Sequence, residues 1–413
     1  METTNIEMVS ESLQTNMNFL WVAVCAALVF IMQAGFAMLE SGMVRSKNSI
    51  NVIMKNLTDM CFGALVFWGV GYGIMFGSVT DGWGLFGTDT FMLSNGNSWD
   101  YMVMTYQMLF AATAATVVSG ALAERIRFGA YVLVAILITA VIYPVFGCWV
   151  WNDGGWLNQL GFIDFAGSSV VHSVGGWCAL AGLVVLGPRL GRFGQDGEVR
   201  EIGGHNLPLV AFGGMILWFG WFGFNGGSTQ EASSDIGGIL LNTHLSGSAG
   251  VVGFVLAKTI FSDGKLLMTD TVNGGLAGLV AITAGCASMS PTYAVLTGLC
   301  AGAICVAATA MCLRMKWDDA VGAVGVHGVC GAWGTLAAGL FLTDNMFNMD
   351  IITVQLIGMA TCAVWTFTTA WVAFKLVSII IDLRVSTTDE QRGLDFSEHH
   401  EVGYPEFQAT LHN

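Results

Sequence analysis

Residues 170–183 read VVHSVGGWCALAGL and residues 325–340 read GVHGVCGAWGTLAAGL, and these two apolar stretches decide the fold. Each contains a histidine, His172 or His327, in the same pattern: Val-His-x-Val-x-Gly, followed by a tryptophan. The second copy comes five predicted helices after the first, which is an odd number. The two halves of the chain should therefore be inverted relative to each other, as in many transporters. Such an inversion would bring both histidines to a similar depth.

The composition around these stretches is that of a membrane protein. Of the 413 residues, 54% are hydrophobic and 11% are charged, whereas soluble domains carry about 25% charged residues. Runs of about 20 apolar residues, each long enough to cross a bilayer, predict eleven helices. Their centres lie near Phe30, Phe67, Ala112, Ala135, Cys178, Leu217, Gly247, Leu279, Gly302, Thr335 and Val364.

The resulting prediction is an all-α membrane protein of two inverted five-helix repeats plus a final helix. Residues 1–381 form the membrane domain, and residues 382–413 form a cytoplasmic tail that is too short for a core of its own. The first apolar run, Phe19–Leu39, has no basic residue before it. It therefore reads as a retained helix and not as a secretory signal.

The basic residues give the orientation. If eleven helices alternate in direction, all fifteen Lys and Arg fall on one side, and the other side has only acidic residues. The positive-inside rule then places the N-terminus outside and the C-terminus in the cytoplasm. The fifteen are Arg45, Lys47, Lys55, Arg125, Arg127, Arg189, Arg192, Arg200, Lys258, Lys265, Arg314, Lys316, Lys375, Arg384 and Arg392.

An ionisable side chain inside a membrane helix indicates a functional site, and His172 and His327 are the strongest candidates. The alternative is that they only pack. The ten cysteines are scattered without a CxxC pair, so neither a disulfide framework nor a metal site is predicted. The chain has no nucleotide-binding loop and no nucleophile–base constellation. We therefore expect no enzyme activity, no cofactor and no nucleic-acid partner.

Four runs carry a resemblance to a known family: ALAERIRF at 121–128, DFAGSSVVH at 164–172, WFGFNGGS at 221–228 and VHGVCGAWG at 326–334. With these motifs the chain resembles the ammonium transporter (Amt/Mep/Rh) family, in its bacterial Amt branch. The resemblance implies a homotrimer in the inner (plasma) membrane, with one pore per subunit. It also implies that His172 and His327 share a hydrogen bond and line an apolar pore.

The resemblance further implies an outer ammonium-binding site of Phe110, Trp151 and Ser228, above a gate formed by Phe110 and Phe224. Aromatic residues also form belts at membrane interfaces, which is the alternative explanation for Trp151. Asp164 matches an aspartate that the family requires for transport. An aspartate in this place can also cap a helix, and we expect this supporting role; whether it handles a proton stays open.

By the same resemblance, residues 384–407, RVSTTDEQRGLDFSEHHEVGYPEF, belong to a regulatory tail that links subunits and is recognised by P-II signalling proteins. The alternative is a disordered, solvated terminus. A fused signalling domain beyond residue 413 also stays open. The tail residues that match the family are Gly393, Leu394, Asp395, Glu398, His399 and Tyr404.

Three features depart from the family pattern. Residues 152–153 are Asn-Asp where many relatives have glycines. Gly322 and Val324 stand where many relatives have an aspartate and a phenylalanine, although residues 318–319 are both aspartate. His244 has no counterpart with a known role, and we expect it to pack or to form a local hydrogen bond.

The sequence thus predicts a transporter that recruits ammonium outside, deprotonates it, and conducts ammonia plus a proton, with net movement of charge. Two alternatives are kept. One is an ammonium sensor that signals through its tail or a fused domain. The other is an electroneutral channel for ammonia or another small gas.

Overall fold

The computed structural model describes residues 2–261 and 265–408, so Met1, residues 262–264 and the end of the predicted tail, 409–413, lie outside the described part. Within it the chain is helical and has no β-strand, only two isolated bridges. The main helices are α1 (Glu2–Met43), α2 (Ser46–Phe76), α3 (Ser98–Ala121), α4 (residues 128–151), α5 (Ser168–Leu186), α6 (Leu207–Gly226), α7 (Ile236–Phe261), α8 (Met268–Ile282), α9 (Pro291–Arg314), α10 (Val324–Leu340) and α11 (Met349–Ile380).

Nine helices of the described residues are long and apolar enough to cross a membrane. Two shorter helices, α8 and α10, accompany them. Each of the eleven predicted helix centres falls inside one of these eleven helices. The all-helical membrane architecture is therefore confirmed.

Local sequence explains where several helices begin. Asn97, Asn206 and Asn348 precede α3, α6 and α11, and the side chain of each accepts hydrogen bonds from backbone N–H groups of the first turn. Asparagine is among the best residues for this capping position. Proline residues occupy the first turns of α6 and α9, where a missing N–H costs no hydrogen bond.

The first helices of the two halves, α1 and α6, pack antiparallel through small residues. A Cβ atom on Gly213 would lie 2.7 Å from the carbonyl oxygen of Gly35, in the last quarter of α1. A Cβ atom on Gly223, further along α6, would lie 2.5 Å from the Cβ atom of Leu28, which comes earlier in α1. The contact positions thus move in opposite directions along the two helices.

The histidine helices α5 and α10 also pack antiparallel. The hydroxyls of Ser169 and Thr335 are 2.6 Å apart, and the Ser173 hydroxyl donates to the Gly328 carbonyl oxygen at 3.2 Å. Both helices begin with a π-helical turn, at Ser168–Ser173 and at Val324–Val329. Such turns insert an extra residue into a helix and occur often at functional sites. These turns carry the two histidines.

Charged side chains are not confined to the ends of the bundle. Lys55, which the sequence groups with the loop charges, is fully buried inside α2, together with Asp59. Lys55 can be buried in a helix and not exposed in a loop because a neighbouring helix supplies a polar partner. It donates a hydrogen bond to the Ser119 carbonyl oxygen at 2.8 Å. Asp59 accepts from the Thr116 hydroxyl at 2.9 Å and from the Tyr131 hydroxyl.

A second set of charges, buried except for the partly exposed Arg45, joins four interhelical loops; we call Arg45, Glu124, Arg189 and Asp318 the loop ion network. Two Arg189 nitrogens donate to the two Asp318 oxygens at 2.8 and 2.9 Å. Arg45 donates to Glu124 at 2.6 Å, and Arg189 approaches Glu124 at 3.4 Å. Burial raises the pKa of both carboxyls, but the arginines outweigh burial and hold both pKa values below their ordinary range.

Candidate functional site

The two predicted pore histidines lie side by side in the interior. Nδ1 of His172 and Nδ1 of His327 are 3.2 Å apart, so one ring donates a hydrogen bond to the other. His172 is completely buried and His327 is 5% exposed. The other ring nitrogen of His172, Nε2, is buried and has no hydrogen-bond partner among the described residues. The pair therefore keeps an unused polar atom in an apolar interior.

Aromatic rings continue from the histidines in one direction. The Phe110 and Phe224 rings, predicted as the gate, are stacked with centroids 4.0 Å apart and planes 9° apart. The Phe224 ring lies 5.3 Å from the His172 ring. Trp221 stacks on His172 at 5.0 Å. Both phenylalanines are buried, and the Phe224 ring contacts both the Phe110 ring and the His172 ring.

Beyond the stacked phenylalanines lies a cavity of about 190 Å³, which we call the aromatic cavity. All three residues predicted to bind ammonium, Phe110, Trp151 and Ser228, line it. The Ser228 hydroxyl donates its proton to the Phe224 carbonyl oxygen at 2.9 Å, which leaves its oxygen able to accept from a ligand. The cavity is lined by Phe76, Gln107, Phe110, Trp151, Phe165, Ser228 and Gln230.

Sequence reasoning missed four of these lining residues. Among them, Gln107 has a buried Oε1 atom that lacks a hydrogen-bond partner in the described part of the chain. It precedes Phe110 by one helical turn on α3, and this spacing is a usable signal. Phe76, Phe165 and Gln230 come from three other parts of the chain. Only the tertiary structure brings them to the cavity, so no local signal could identify them.

Asp164 lies just before α5 and outside its membrane-spanning segment. Its carboxylate accepts hydrogen bonds from the backbone N–H groups of Gly167, Ser169 and Val170 at 2.9–3.0 Å. Burial raises its pKa to about 6, although these backbone N–H groups act in the opposite direction. Its carbonyl oxygen accepts from Nε1 of Trp151 at 2.7 Å. Asp164 therefore holds both the start of α5 and a wall of the aromatic cavity.

Asp319 is arranged in the same way before α10. It accepts from the backbone N–H groups of Gly322 and Val324 at 2.9 and 2.7 Å, and burial raises its pKa. Asp164 and Asp319 each stand eight residues before a histidine. The repeat in the sequence therefore extends to the capping aspartates, a signal that could have identified Asp319.

A second, smaller cavity of about 20 Å³ lies on the far side of the histidine pair. We call it the His327 cavity, because His327 lines it and His172 does not. Its lining residues are Phe36, Leu39, Glu40, Val117, Asn273, Leu276, Val321, Gly322, Ala323, Val326 and His327. The histidine pair thus separates two cavities that differ in size and in lining.

The remaining departures from the family pattern have structural explanations. The Asn152 amide donates to the carbonyl oxygens of Met75 and Gly77 at 3.0 and 2.9 Å, so it fixes a loop. Asp153 is exposed. His244 is exposed on α7 and packs against the rings of Trp218 and Phe222, away from both cavities. Within residues 2–261 and 265–408, no group of three or more His, Cys, Asp or Glu side chains could hold a metal ion.

The tail forms two short helices, Thr387–Arg392 and Leu394–His399, that pack against the start of α2. Asp395 accepts from the Asn51 backbone N–H at 2.8 Å, and Nε2 of His399 contacts the Asn51 amide at 3.0 Å. Leu394 is fully buried. Gly393 has a φ of +109°, and a Cβ atom there would lie 2.6 Å from Lys47. These two tail helices are therefore packed against the rest of the chain.

Two more predicted tail residues reach other segments. The Glu398 carboxylate accepts from the Phe128 backbone N–H at the start of α4, at 3.0 Å. The Tyr404 hydroxyl lies 2.8 Å from Nε2 of His205 in the loop before α6. The tail thus touches the starts of α2 and α4 and the loop before α6.

Comparison with known proteins relates this architecture to one family. The sequence model of the Ammonium Transporter Family matches residues 20–404. A putative ammonium transporter of Synechocystis is 45% identical over 93% of this chain and 74% of its own length. The ammonium transporter Amt2 of Archaeoglobus fulgidus is 42% identical over 98% of this chain and 92% of its own length.

Solved structures give the same relation. A structure titled Sensor Amt Protein has a TM-score of 0.90 and 39% identity, and covers 94% of this chain and 100% of its own. The crystal structure of Saccharomyces cerevisiae Mep2 has a TM-score of 0.83 and 26% identity, over 90% of this chain and 88% of its own.

Proposed function

Because this chain belongs to the ammonium transporter family, we propose that it captures ammonium in the aromatic cavity, deprotonates it and conducts ammonia past His172 and His327. Family members are multi-pass transporters of the plasma membrane, and we propose no enzymatic reaction. The observation that carries the proposal is the buried, hydrogen-bonded histidine pair between the two cavities.

Capture rests on the residues of the aromatic cavity. Contact between a cation and the face of a Trp or Phe ring contributes about 0.5–2 kcal/mol, depending on desolvation. Phe110 and Trp151 supply such rings with centroids 6.2 Å apart. Ser228 supplies a hydroxyl oxygen that accepts a hydrogen bond from ammonium. These contacts suit a small cation with N–H donors.

Selectivity follows from the apolar path beyond the cavity. Moving a bare cation into a medium of low dielectric costs several kcal/mol even after relaxation. Ammonium avoids this cost by leaving a proton behind, whereas potassium cannot. The neutral ammonia molecule then passes the Phe110–Phe224 stack and bonds to the imidazoles. The proton moves separately through the histidine pair, so net transport carries charge.

The topology and the partners belong to the same proposal. We take all eleven helices to cross the membrane, with the N-terminus and the aromatic cavity outside and the tail in the cytoplasm. The fifteen Lys and Arg residues support this orientation. The subunits form a trimer, and a P-II signalling protein or a fused signalling domain acts through the tail.

A second candidate function is ammonium sensing. The specific observation in its favour is the similarity to the structure titled Sensor Amt Protein, which this chain matches over that protein's whole length. A sensor would bind ammonium in the same aromatic cavity and signal through its tail without moving charge.

Currents from proteoliposomes on a solid-supported membrane test the proposal. A pulse of ammonium should give a transient current with the wild-type chain, and a pulse of potassium should give none. The double variant His172→Leu/His327→Leu should lose the ammonium current, because leucine can neither bond to ammonia nor pass a proton. His244→Leu is the matched control, since it removes a histidine of a membrane helix outside the path.

The outcomes distinguish the three hypotheses: a transporter that moves charge, an ammonium sensor and an electroneutral channel. An unchanged current in the double variant contradicts the histidine mechanism. Tight ammonium binding to the wild-type chain without current favours the sensor. Alkalinisation of the vesicle interior without current favours the electroneutral channel.

A further inference from the structure

Glu40 is a buried carboxyl group beside the pore that the proposed mechanism leaves unused. It lies near the end of α1 and is 1% exposed. Its carboxyl group packs directly against Gly120, since a Cβ atom there would lie 2.8 Å from the Glu40 Cδ and Oε1 atoms. Glu40 and His327 both line the His327 cavity. His327 and Glu40 therefore border the same small cavity, and His172 does not.

The His327 cavity has the size and polarity to hold one water molecule. Its volume is about 20 Å³, and a buried water needs roughly 10–15 Å³ and two to four polar partners. The Glu40 carboxyl and the His327 ring supply two of them, and Asn273, also in the lining, supplies an amide. A single water can thus connect the imidazole to the carboxyl group.

Glu40 also belongs to a buried charged cluster with Lys55 and Asp59 of α2. The Asn56 amide donates to Glu40 at 3.2 Å, and Lys55 and Asp59 lie near enough to act electrostatically on Glu40. Lys55 donates to the Ser119 carbonyl oxygen. Two carboxyl groups and one ammonium group carry a net charge of −1 when all are ionised, and the cluster becomes neutral when one carboxyl takes up a proton.

The hydrogen bonds indicate which carboxyl takes that proton. Asp59 accepts from two hydroxyls, those of Thr116 and Tyr131, whereas Glu40 accepts from the Asn56 amide. Hydrogen bonds to a carboxylate stabilise its charged form. Asp59 is therefore the better-stabilised anion, and Glu40 is the group that gains and loses a proton.

The other charged and titratable groups around this cluster, Tyr131 and Arg125, are held in place by hydrogen bonds to groups other than Glu40. Tyr131 bonds to Asp59 and lies under the Lys55 ammonium at 5.1 Å from its ring centre. Arg125 acts electrostatically on Lys55, and its own guanidinium donates to the carbonyl oxygens of Ala121, Ala123, Gly187 and Asp318. His327 is thus the titratable neighbour that shares the cavity with Glu40.

We infer that Glu40 is the proton acceptor at the inner end of the transport path. This inference rests on the proposed function. The proton that ammonium loses travels through His172 to His327. A nitrogen of His327 then releases it to the water of the His327 cavity, and the water passes a proton to a Glu40 oxygen. Glu40 is neutralised, the imidazole and the water regain their neutral forms, and Glu40 finally releases the proton to the cytoplasm. Ammonia leaves by itself, so each ammonium arrives as one ammonia and one proton.

The test compares Glu40→Gln, Glu40→Asp and wild type as full chains in proteoliposomes, with ammonium-evoked currents recorded over a range of pH. Glutamine keeps the size and the hydrogen bond to Asn56 but cannot carry the proton. A positioned proton-transfer group contributes about 10²–10⁴-fold to a rate, so the Glu40→Gln current should fall by about a hundredfold. Aspartate keeps a proton-carrying group and should retain a measurable current with a shifted pH profile. Glu231→Gln, which changes an exposed glutamate, is the matched control and should leave the current unchanged.

Two results would overturn the inference. One is a Glu40→Gln chain with the wild-type current and pH profile. The other is folded Glu40→Gln and Glu40→Asp chains that lose the current equally, since a proton-carrying role requires aspartate, which still titrates, to keep more current than glutamine. If Glu40→Gln does not fold, the pH profile of Glu40→Asp decides: a shift supports the inference and an unchanged profile overturns it. The absence of current from the wild-type chain would instead contradict the proposed function.

Discussion

At the scale of single residues, Gln107 shows how a side chain can serve a ligand at the expense of stability. Gln107 lines the aromatic cavity, and its buried Oε1 atom has no partner in the described structure. An unsatisfied buried acceptor costs about 1–3 kcal/mol. Bound ammonium would satisfy it, because ammonium brings four N–H donors.

The first prediction concerns Gln107→Leu. The variant should unfold at the same temperature as the wild type or a higher one, because it removes the unsatisfied acceptor. The ammonium concentration for half-maximal current should nevertheless rise, because the ligand loses a partner. Gln159→Leu is the control, since Gln159 is exposed and bonds to a loop carbonyl. Lower stability together with an unchanged half-maximal concentration would contradict this reading of Gln107.

Residues of this kind also mark the limit of sequence reasoning. His172 and His327 are conspicuous because an ionisable group in an apolar helix is rare. The sequence does not predict a role for Glu40, because its partners, Asn56, Lys55 and Asp59, come from another helix. Phe165 and Gln230 are ordinary loop residues until the fold brings them to the aromatic cavity. What sequence cannot supply here is contact between distant segments.

At the scale of elements, the crossing of α5 and α10 sets the distance between the histidines. A Cβ atom on Gly176 would lie 2.2 Å from the Gly328 backbone nitrogen, which is far inside van der Waals contact. Gly176 follows His172 by one turn, and Gly328 follows His327 directly. The two backbones therefore touch where the imidazoles meet.

The second prediction follows from this contact. Gly176→Ala should separate the two helices, lengthen the hydrogen bond between the histidines and lower the ammonium current. Overpacking of a tight interior costs about 1–3 kcal/mol, so the melting temperature should also fall. Gly238→Ala in α7 is the control, because a Cβ atom there meets nothing within 4 Å. Wild-type current in Gly176→Ala would mean that the crossing does not set the histidine geometry.

The elements also show which local features the sequence reveals. All eleven helix centres could be predicted because each helix has an apolar run. The π-helical turns that open α5 and α10 could not, because an extra residue in a turn leaves the composition unchanged. The sequence predicts a capping role for Asp164 but none for Asp319, although each stands eight residues before a histidine and each holds one of these turns.

At the scale of the whole molecule, the loop ion network holds the helix ends together. Arg189 and Asp318 are both buried and bond through two parallel contacts. Removal of one partner of a buried ion pair leaves an uncompensated charge, which costs about 3–5 kcal/mol. The third prediction is therefore that Asp318→Asn lowers the melting temperature strongly at pH 7. Asp382→Asn is the control, because Asp382 is 88% exposed and lies 3.9 Å from Arg127, and exposed pairs contribute little.

The pH dependence of this effect has a definite sign. The folded chain keeps the pKa of Asp318 below its ordinary value of 3.8, because the arginines outweigh burial. At acid pH the unfolded chain then binds more protons, so stability falls as pH falls. The contribution of Asp318 is complete above about pH 4 and declines at lower pH. The difference in melting temperature between wild type and Asp318→Asn should hold from pH 7 to pH 5 and narrow below pH 4. A difference that widens below pH 4 would contradict this assignment.

The whole-molecule plan was the part that sequence revealed best. The repeated histidine stretches predicted inverted halves, and α1 packs antiparallel to α6, as α5 does to α10. Apolar runs and basic residues are distributed over the entire chain, so errors at single positions hardly affect them. The docked tail was harder, because its many polar residues are also typical of a solvated terminus.

The packing of the tail on α2 has a mechanical consequence. Asn51, which bonds to the tail, and Lys55 and Asp59, which flank Glu40, are spaced four residues apart and lie on one buried face of this helix. A helix is stiff along its axis, so a displacement at Asn51 moves the other two by a similar distance. α2 therefore links the tail rigidly to the interior, and a displacement of the tail at Asn51 should also move Lys55 and Asp59.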